Sequence, residues 1–323
     1  MTMMMDMKNK SRLEGLRGFP DGSKDGNKMD FRPYGVIPPL VTPLTGEGKL
    51  DVSALRKMIN HLIKNGVHGV FPAGTTGEFY GMMDAEYREL LEVVVDEVAG
   101  RVPVYAGVNH ITTRGAVNLT RIAEECKVDA LSILTPMFIS PTQEDLVRHF
   151  TAIAGSTNLP ILMYNNKPKT NVDITPQSVL TLSDVPNIIG IKDSTGDMTN
   201  TEEYLRLTRH KDFHVMMGRD TLIYAALCYG ASGAIASCSN VAPRIAADIY
   251  DKYVAGDLAG ALEAQFKLAP LRIAFGIGTF PAVIKEGLAM QGLDVGASYE
   301  PVGRLKEHER ESLRKILTEL ELI

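Results

Sequence analysis

From Tyr34 onward, short apolar runs alternate with longer stretches of helical period, and the alternation occurs eight times. The runs read "GVIPPLVTP", "GVHGVFPAG", "VPVYAGV", "VDALSILTP", "PILMYN", "IIGIKDS", "FHVMMG" and "ASGAIAS". They are apolar throughout, as expected of parallel strands covered on both faces. The stretches between them are amphipathic. In "DVSALRKMINHLIKNG", Leu55, Met58, Ile59, Leu62 and Ile63 share one helical face, with Gly66 placed to end the helix. "DAEYRELLEVVVDEVAG" repeats the device, with Asp84 as the expected N-cap and Gly100 as the stop. This pattern predicts an α/β chain closed into a TIM (β/α)8 barrel. A doubly wound sheet is the alternative. It would favour a glycine-rich phosphate fingerprint after the first strand, where "VTPLTGEGKLD" lacks GxGxxG. The "PP" of the first run weakens that strand, because proline cannot donate to a ladder.

The flanks differ from the barrel region. Residues 1–28 are polar, glycine-dotted and aperiodic, which reads as a flexible N-terminal extension ahead of a barrel over 29–242. They lack the apolar core of a secretory signal. Residues 243–323 read as the closing helix and a helical C-terminal extension, whose apolar stripes need the barrel wall or another subunit. A homo-oligomer, dimer or tetramer, is therefore expected. The net charge of −5, with no basic block, offers nothing to nucleic acid or an acidic membrane surface. No apolar run is long enough to span a bilayer. Cys126, Cys228 and Cys238 form no CxxC and read as reduced thiols, in keeping with a cytoplasmic protein.

A barrel carries its chemistry at the C-terminal ends of its strands. Those ends offer Gly74-Thr75-Thr76-Gly77-Glu78, Tyr164-Asn165, Lys192-Asp193-Ser194, Gly218-Arg219-Asp220 and Ile235-Ala236-Ser237. Lys192 closes a nearly all-apolar run. Pointing into the barrel mouth it would lose solvation, which frees the amine as a nucleophile toward a carbonyl. Pointing outward it would be an ordinary solvated lysine. Tyr164 could shuttle protons beside such an amine or simply pack at the rim. Thr75 and Thr76 could offer hydroxyls and backbone N–H groups to a carboxylate or form an ordinary turn. The seven histidines make no HxH or HExxH pair, so no metal site is expected. GxSxG is absent, which leaves a nucleophile-elbow hydrolase unsupported.

"GTTGE" after the second run, "YNN" after the fifth and "GIKDSTGD" after the sixth, in that order, resemble the dihydrodipicolinate synthase / N-acetylneuraminate lyase family. The resemblance covers about residues 30–320 and includes "VTP" at 41–43 and "GAIASCSNVAP" at the eighth run. It implies a class I pyruvate aldolase on a TIM barrel with a helical C-terminal extension, commonly a tetramer. No separate cofactor is implied, since pyruvate is held as a covalent Schiff base on Lys192. By the same resemblance Tyr164 is the general acid/base and Thr75 belongs to its proton relay. Gly74 and Thr76 belong to the carboxylate cradle. Ile235 lends its backbone to the pyruvate site, and Gly218 meets the second substrate.

Two departures bear on that second substrate. Family synthases usually show "TPYY" after the fourth strand, where this chain has "TPMF", and Phe138 has no hydroxyl to relay a proton. They also carry an arginine after the catalytic tyrosine that holds the carboxylate of aspartate semialdehyde; here Lys169 stands at that place and lacks the bidentate fork. The first reading is thus a pyruvate aldolase or lyase acting on a 2-keto acid, such as a sugar-derived 2-keto-3-deoxy acid. Its partners would be pyruvate and a small aldehyde that meets Lys169, Arg219 or Ser237. The alternatives are a dihydrodipicolinate synthase condensing pyruvate with aspartate semialdehyde, a family dehydratase, and a barrel that binds pyruvate without turnover.

Overall fold

The apolar runs form the wall of a barrel. In the computed structural model, which describes residues 31–323, seven strands pair in parallel: β1 (Gly35–Ile37), β2 (Tyr105–Gly107), β3 (Ala130–Leu134), β4 (Ile161–Asn165), β5 (Ile188–Asp193), β6 (His214–Met217) and β7 (Gly233–Ile235). Their order is β1-β7-β6-β5-β4-β3-β2. The expected extension over residues 1–28 lies outside the described residues.

The second apolar run is the exception to the eight expected strands. It forms no continuous ladder, yet it closes the ring between β1 and β2 through two parallel bridges, Pro39 to Phe71 and Val70 to Val104. Phe71 N–H donates to the Pro38 carbonyl and Val70 N–H to that of Pro103. The reason for the sparse pairing is covalent. Pro38, Pro39, Pro72 and Pro103 have no N–H, so the rungs they would donate are missing, while others such as Leu40 N–H to the Phe71 carbonyl and Tyr105 N–H to that of Val70 remain. Each of the eight runs still contributes to one apolar cluster inside the barrel, formed by Ile37, Phe71, Tyr105, Ala130, Leu162, Ile189, Met216 and Ile235. The outward side chains of the strands pack under the helices in a second, larger cluster.

Helices cover the wall as the periodicity predicts. Helix α1 (Val52–Lys64) buries Leu55, Met58, Ile59 and Leu62, and the Asp51 carboxylate accepts from Ala54 N–H at its start. Helix α2 (Asp84–Val98) departs by one residue from expectation. Its N-cap is Met83, whose N–H donates to the Glu86 carboxylate, so Asp84 is the first helical residue. Its chain turns at Ala99 and Gly100, both left-handed. Five helices continue the barrel: α3 (Thr113–Glu125), α4 (Gln143–Ala154), the short α5 (Lys167–Thr170), α6 (Pro176–Leu182) and α7 (Met198–Thr208). After α8 (Ile223–Tyr229) come α9 (Pro243–Val254), α10 (Leu258–Ala274), α11 (Ala282–Met290) and α12 (Glu307–Glu319). Leu268, Ile284, Leu313 and Leu317 of these last helices share the large cluster with the barrel's outer face. No helix among the described residues is long and apolar enough to cross a membrane.

One irregularity decides which way β5 faces. Ile161 pairs with Ile188, but the next residue, Leu162, pairs with Gly190, so β5 holds one extra residue there. Side chains alternate along a strand, and one extra residue reverses the phase. Ile189 packs inside and Ile191 outside, although they are two apart. Beyond the shift, Lys192 faces inward. Gly190 is required at this point. A Cβ there would lie 2.2 Å from the His214 carbonyl oxygen and 2.8 Å from Leu162 Cδ2. Gly190→Ala should therefore destabilise the fold by about 1–3 kcal/mol through overpacking. Urea unfolding of the variant checks this; an unchanged midpoint would show that β5 tolerates the side chain.

Candidate active site

The barrel mouth holds a cavity of ≈ 260 Å³ at the C-terminal ends of the strands. Lys192 and Tyr164 form its base. They are paired across β4 and β5, and each is 3% exposed. Lys192 Nζ stands 3.9 Å from the centre of the Tyr164 ring and 5.0 Å from that of Phe71. Burial pulls the Lys192 amine below its ordinary pKa, against the opposing charge of Tyr164 and Asp220. Burial acts to raise the Tyr164 phenol, but the Lys192 ammonium, with hydrogen bonds from Thr75 and Ser194, outweighs it and leaves the phenol below its ordinary value. A lysine and a tyrosine both shifted toward proton exchange are suited to general acid–base work on a bound carbonyl.

Two loops complete the inner half. Thr75 Oγ1 lies 3.4 Å from the Tyr164 hydroxyl, and Asn166 Nδ2 donates to that hydroxyl at 2.9 Å. Thr76 Oγ1 pairs with Ser237 Oγ at 3.0 Å. This places Ser237 beside the threonine loop, in the lining of the same cavity. Gly218 also lines the cavity, and a Cβ there would fall 1.9 Å from Ser194 Oγ. Lys169 lines the outer wall, with Nζ 5.8 Å from the Phe280 ring centre.

Eight of the expected residues thus meet at one cavity: Lys192, Tyr164, Thr75, Thr76, Gly218, Lys169, Arg219 and Ser237. Two do not line it. Gly74 lies against the Phe71 ring, and the Ile235 side chain packs in the interior cluster. Phe138 is 93% exposed, in a left-handed turn outside the cavity lining.

Sequence reasoning missed three contributors. Asn166 lies in the quoted "YNN", but only the fold shows its side chain turning back to Tyr164. Arg272 and Phe280 reach the cavity from the C-terminal helical region, too far along the chain for any local pattern to mark them.

That region also holds the threonine loop in place. Glu78 ends "GTTGE" in a left-handed conformation, with its carboxylate fully buried. Lys285 of α11, 3% exposed, brings Nζ to 2.8 Å from Glu78 Oε1, and the other oxygen accepts from Tyr299 N–H at 2.8 Å. Lys285 Nζ also donates to the Ala297 carbonyl at 2.7 Å. Burial lowers the Lys285 pKa, against the opposing charge of Glu78.

The model of the dihydrodipicolinate synthetase family matches residues 32–320. The chain belongs to this family. It is 37% identical to the 4-hydroxy-tetrahydrodipicolinate synthase of Thermodesulfovibrio yellowstonii, over 88% of this chain and 97% of that one. It is 35% identical to the synthase of that name from Methanothrix thermoacetophila, over 88% and 96%. YagE, a prophage protein of the same family from E. coli K12 solved in complex with pyruvate, superposes with a TM-score of 0.87 at 30% identity, covering 90% of this chain and 99% of that one. Family membership makes the chain a carbon–carbon lyase of the class I aldolase type and its architecture a TIM barrel.

Removing one partner of a buried ion pair strands the other charge. Lys285→Met should cost about 3–5 kcal/mol, and the paired Glu78→Met/Lys285→Met change distinctly less. Denaturant unfolding of the single and double variants measures the difference.

Proposed function

We propose that Lys192 forms an imine with pyruvate and that the resulting enamine adds to a small aldehyde, with aspartate semialdehyde the first acceptor. The observation that carries the reading is the buried Lys192 amine 3.9 Å from the Tyr164 ring centre at the base of a cavity. The acceptor rests on the relatives, which bear the name 4-hydroxy-tetrahydrodipicolinate synthase. They reverse the order drawn from the sequence, where a sugar-derived 2-keto acid stood first.

The neutral amine attacks the ketone carbon of pyruvate. The carbinolamine loses water to give an imine, and its positive nitrogen acidifies the adjacent methyl group. Tyr164, hydrogen-bonded to Asn166 and within reach of Thr75, carries the protons in and out. Thr76, steadied by Ser237, receives the pyruvate carboxylate. The enamine carbon then attacks the aldehyde, whose oxygen takes up a proton. The covalent imine is all the cofactor this sequence of steps uses.

A second reading, addition to a sugar-derived aldehyde, is favoured by Lys169 and Phe138. The first lacks an arginine's fork for the acceptor carboxylate, and the second lacks a hydroxyl.

Borohydride reduction in the presence of pyruvate should leave an adduct on Lys192 that Lys192→Ala abolishes, read by intact mass and peptide mapping. No adduct on folded protein would sink the imine. The pH profile supplies a sharper check. Adduct formation needs the neutral amine, so its midpoint should lie below 10.5, the ordinary lysine value. Tyr164 holds the Lys192 pKa up, so Tyr164→Phe should move that midpoint further down while slowing formation about 10²–10⁴-fold. An upward move would contradict the assigned pairing.

A further inference from the structure

The outer wall of the cavity carries more positive charge than pyruvate chemistry uses. Lys169, Arg219 and Arg272 line it beside one carboxylate, Asp220. Lys192 aside, that is three cations against one anion. Asp220 is also committed within the protein: Oδ2 lies 3.3 Å from Arg272 Nε, and Oδ1 accepts from Cys238 N–H at 2.7 Å.

The other cations are held by packing. The Arg272 guanidinium carbon sits 5.2 Å from the Phe275 ring centre, and Lys169 Nζ sits 5.8 Å from that of Phe280. Arg219 lies over the turn at Gly196, where a Cβ would come within 3.2 Å of its Nε. Among the described residues the Arg219 guanidinium has no hydrogen-bond or ion-pair partner, and burial followed by the nearby Arg272 charge lowers its pKa. Guanidiniums steadied by aromatic faces and a glycine turn keep N–H donors free for a ligand. Their planar fork suits a carboxylate or a phosphate.

We propose that Arg219 and Arg272, with Lys169 beside them, form an anion subsite that receives the terminal acid group of the aldehyde acceptor. This deepens the aldolase reading and rests on it for the presence of an acceptor. Arg272 comes from α10, so the C-terminal helical region takes part in substrate choice. Two uncompensated charges match a phosphate monoester as well as a carboxylate. The α-carboxylate of aspartate semialdehyde supplies one negative charge and brings an ammonium with it.

The test has two parts. With pyruvate saturating, kcat/KM is measured for aspartate semialdehyde, glyceraldehyde 3-phosphate and uncharged glyceraldehyde in wild type, Arg219→Gln and Arg272→Lys. The expected result is a loss of about tenfold or more for the anionic acceptors, with a much smaller change for glyceraldehyde. The two anionic arms tell carboxylate from phosphate recognition. Arg219→Gln breaks no hydrogen bond or ion pair of the fold, which keeps the test open if Arg272→Lys disturbs Asp220. An unchanged preference for anionic over uncharged acceptors in Arg219→Gln would overturn the subsite. In parallel, inorganic phosphate is titrated calorimetrically into the same three proteins without pyruvate. Saturable binding that both variants weaken supports the subsite, and no saturable binding to wild type, or binding that both leave untouched, overturns it. A missing borohydride adduct would sink the aldolase reading alone, since the phosphate titration does not depend on the imine.

Discussion

A lysine amine is made easier to deprotonate by keeping it out of water, and here that burial depends on the direction in which one strand faces. Without the extra residue between Ile188 and Gly190, the alternation that buries Ile189 inside would send Lys192 outward under the helices. The register shift turns it into the barrel mouth instead, opposite Tyr164. There the low dielectric does two things together. It depresses the lysine, and it strengthens the attraction through which the ammonium draws down the phenol. Neither group would be shifted in that sense at the surface. Gly190 makes the arrangement sterically possible, because the strand passes too close to β6 for a side chain at the shift.

The threonine loop depends on a second buried contact. A charged pair at this depth is weak evidence for stability, since its desolvation can exceed its attraction. Its geometry points to positioning. Glu78 takes Lys285 on one oxygen and Tyr299 N–H on the other, and Lys285 spends a further donor on Ala297. A left-handed loop exit is thereby fixed to α11 and to the chain beyond it. Thr75 and Thr76 lie immediately before that anchor, so the C-terminal region sets where the hydroxyls stand relative to Tyr164. The barrel adds its own holds, Thr42 Oγ1 donating to the Gly77 carbonyl and Ser237 pairing with Thr76.

The alternating apolar runs made the barrel legible, because burial on two faces leaves a continuous signal in sequence. Lys192, Tyr164 and the threonines were legible for a related reason: polar residues at the ends of apolar runs fall at the barrel mouth. The prolines that thin the second run's ladder were visible, but their effect was expected for the first run alone. The phase of β5 was not legible. "NIIGIK" carries no mark of where an extra residue is accommodated, since that is decided by pairing with β4. Arg272 and the Glu78–Lys285 pair were hidden for the same reason. Each acts through a contact that closes only after distant parts of the chain have packed, and Glu78 and Lys285 are separated by nearly the whole barrel.

The cavity divides along this line between local and distant origin. Its inner half is built from strand ends: an amine, a phenol, two threonine hydroxyls and a serine. The outer half is cationic and draws Arg272, Phe275 and Phe280 from the helical region after the barrel. A strand end is fixed by ladders on both sides, whereas a residue between α10 and α11 can change without altering any ladder. The proposed acceptor subsite thus joins both parts of the fold, with Lys169 and Arg219 from the segments after β4 and β6 and Arg272 from α10. On the proposed reading, substitutions in the outer half can alter which aldehyde is met while the inner half keeps its register, because none of Lys169, Arg219 and Arg272 belongs to the β4–β5 ladder that orients Lys192.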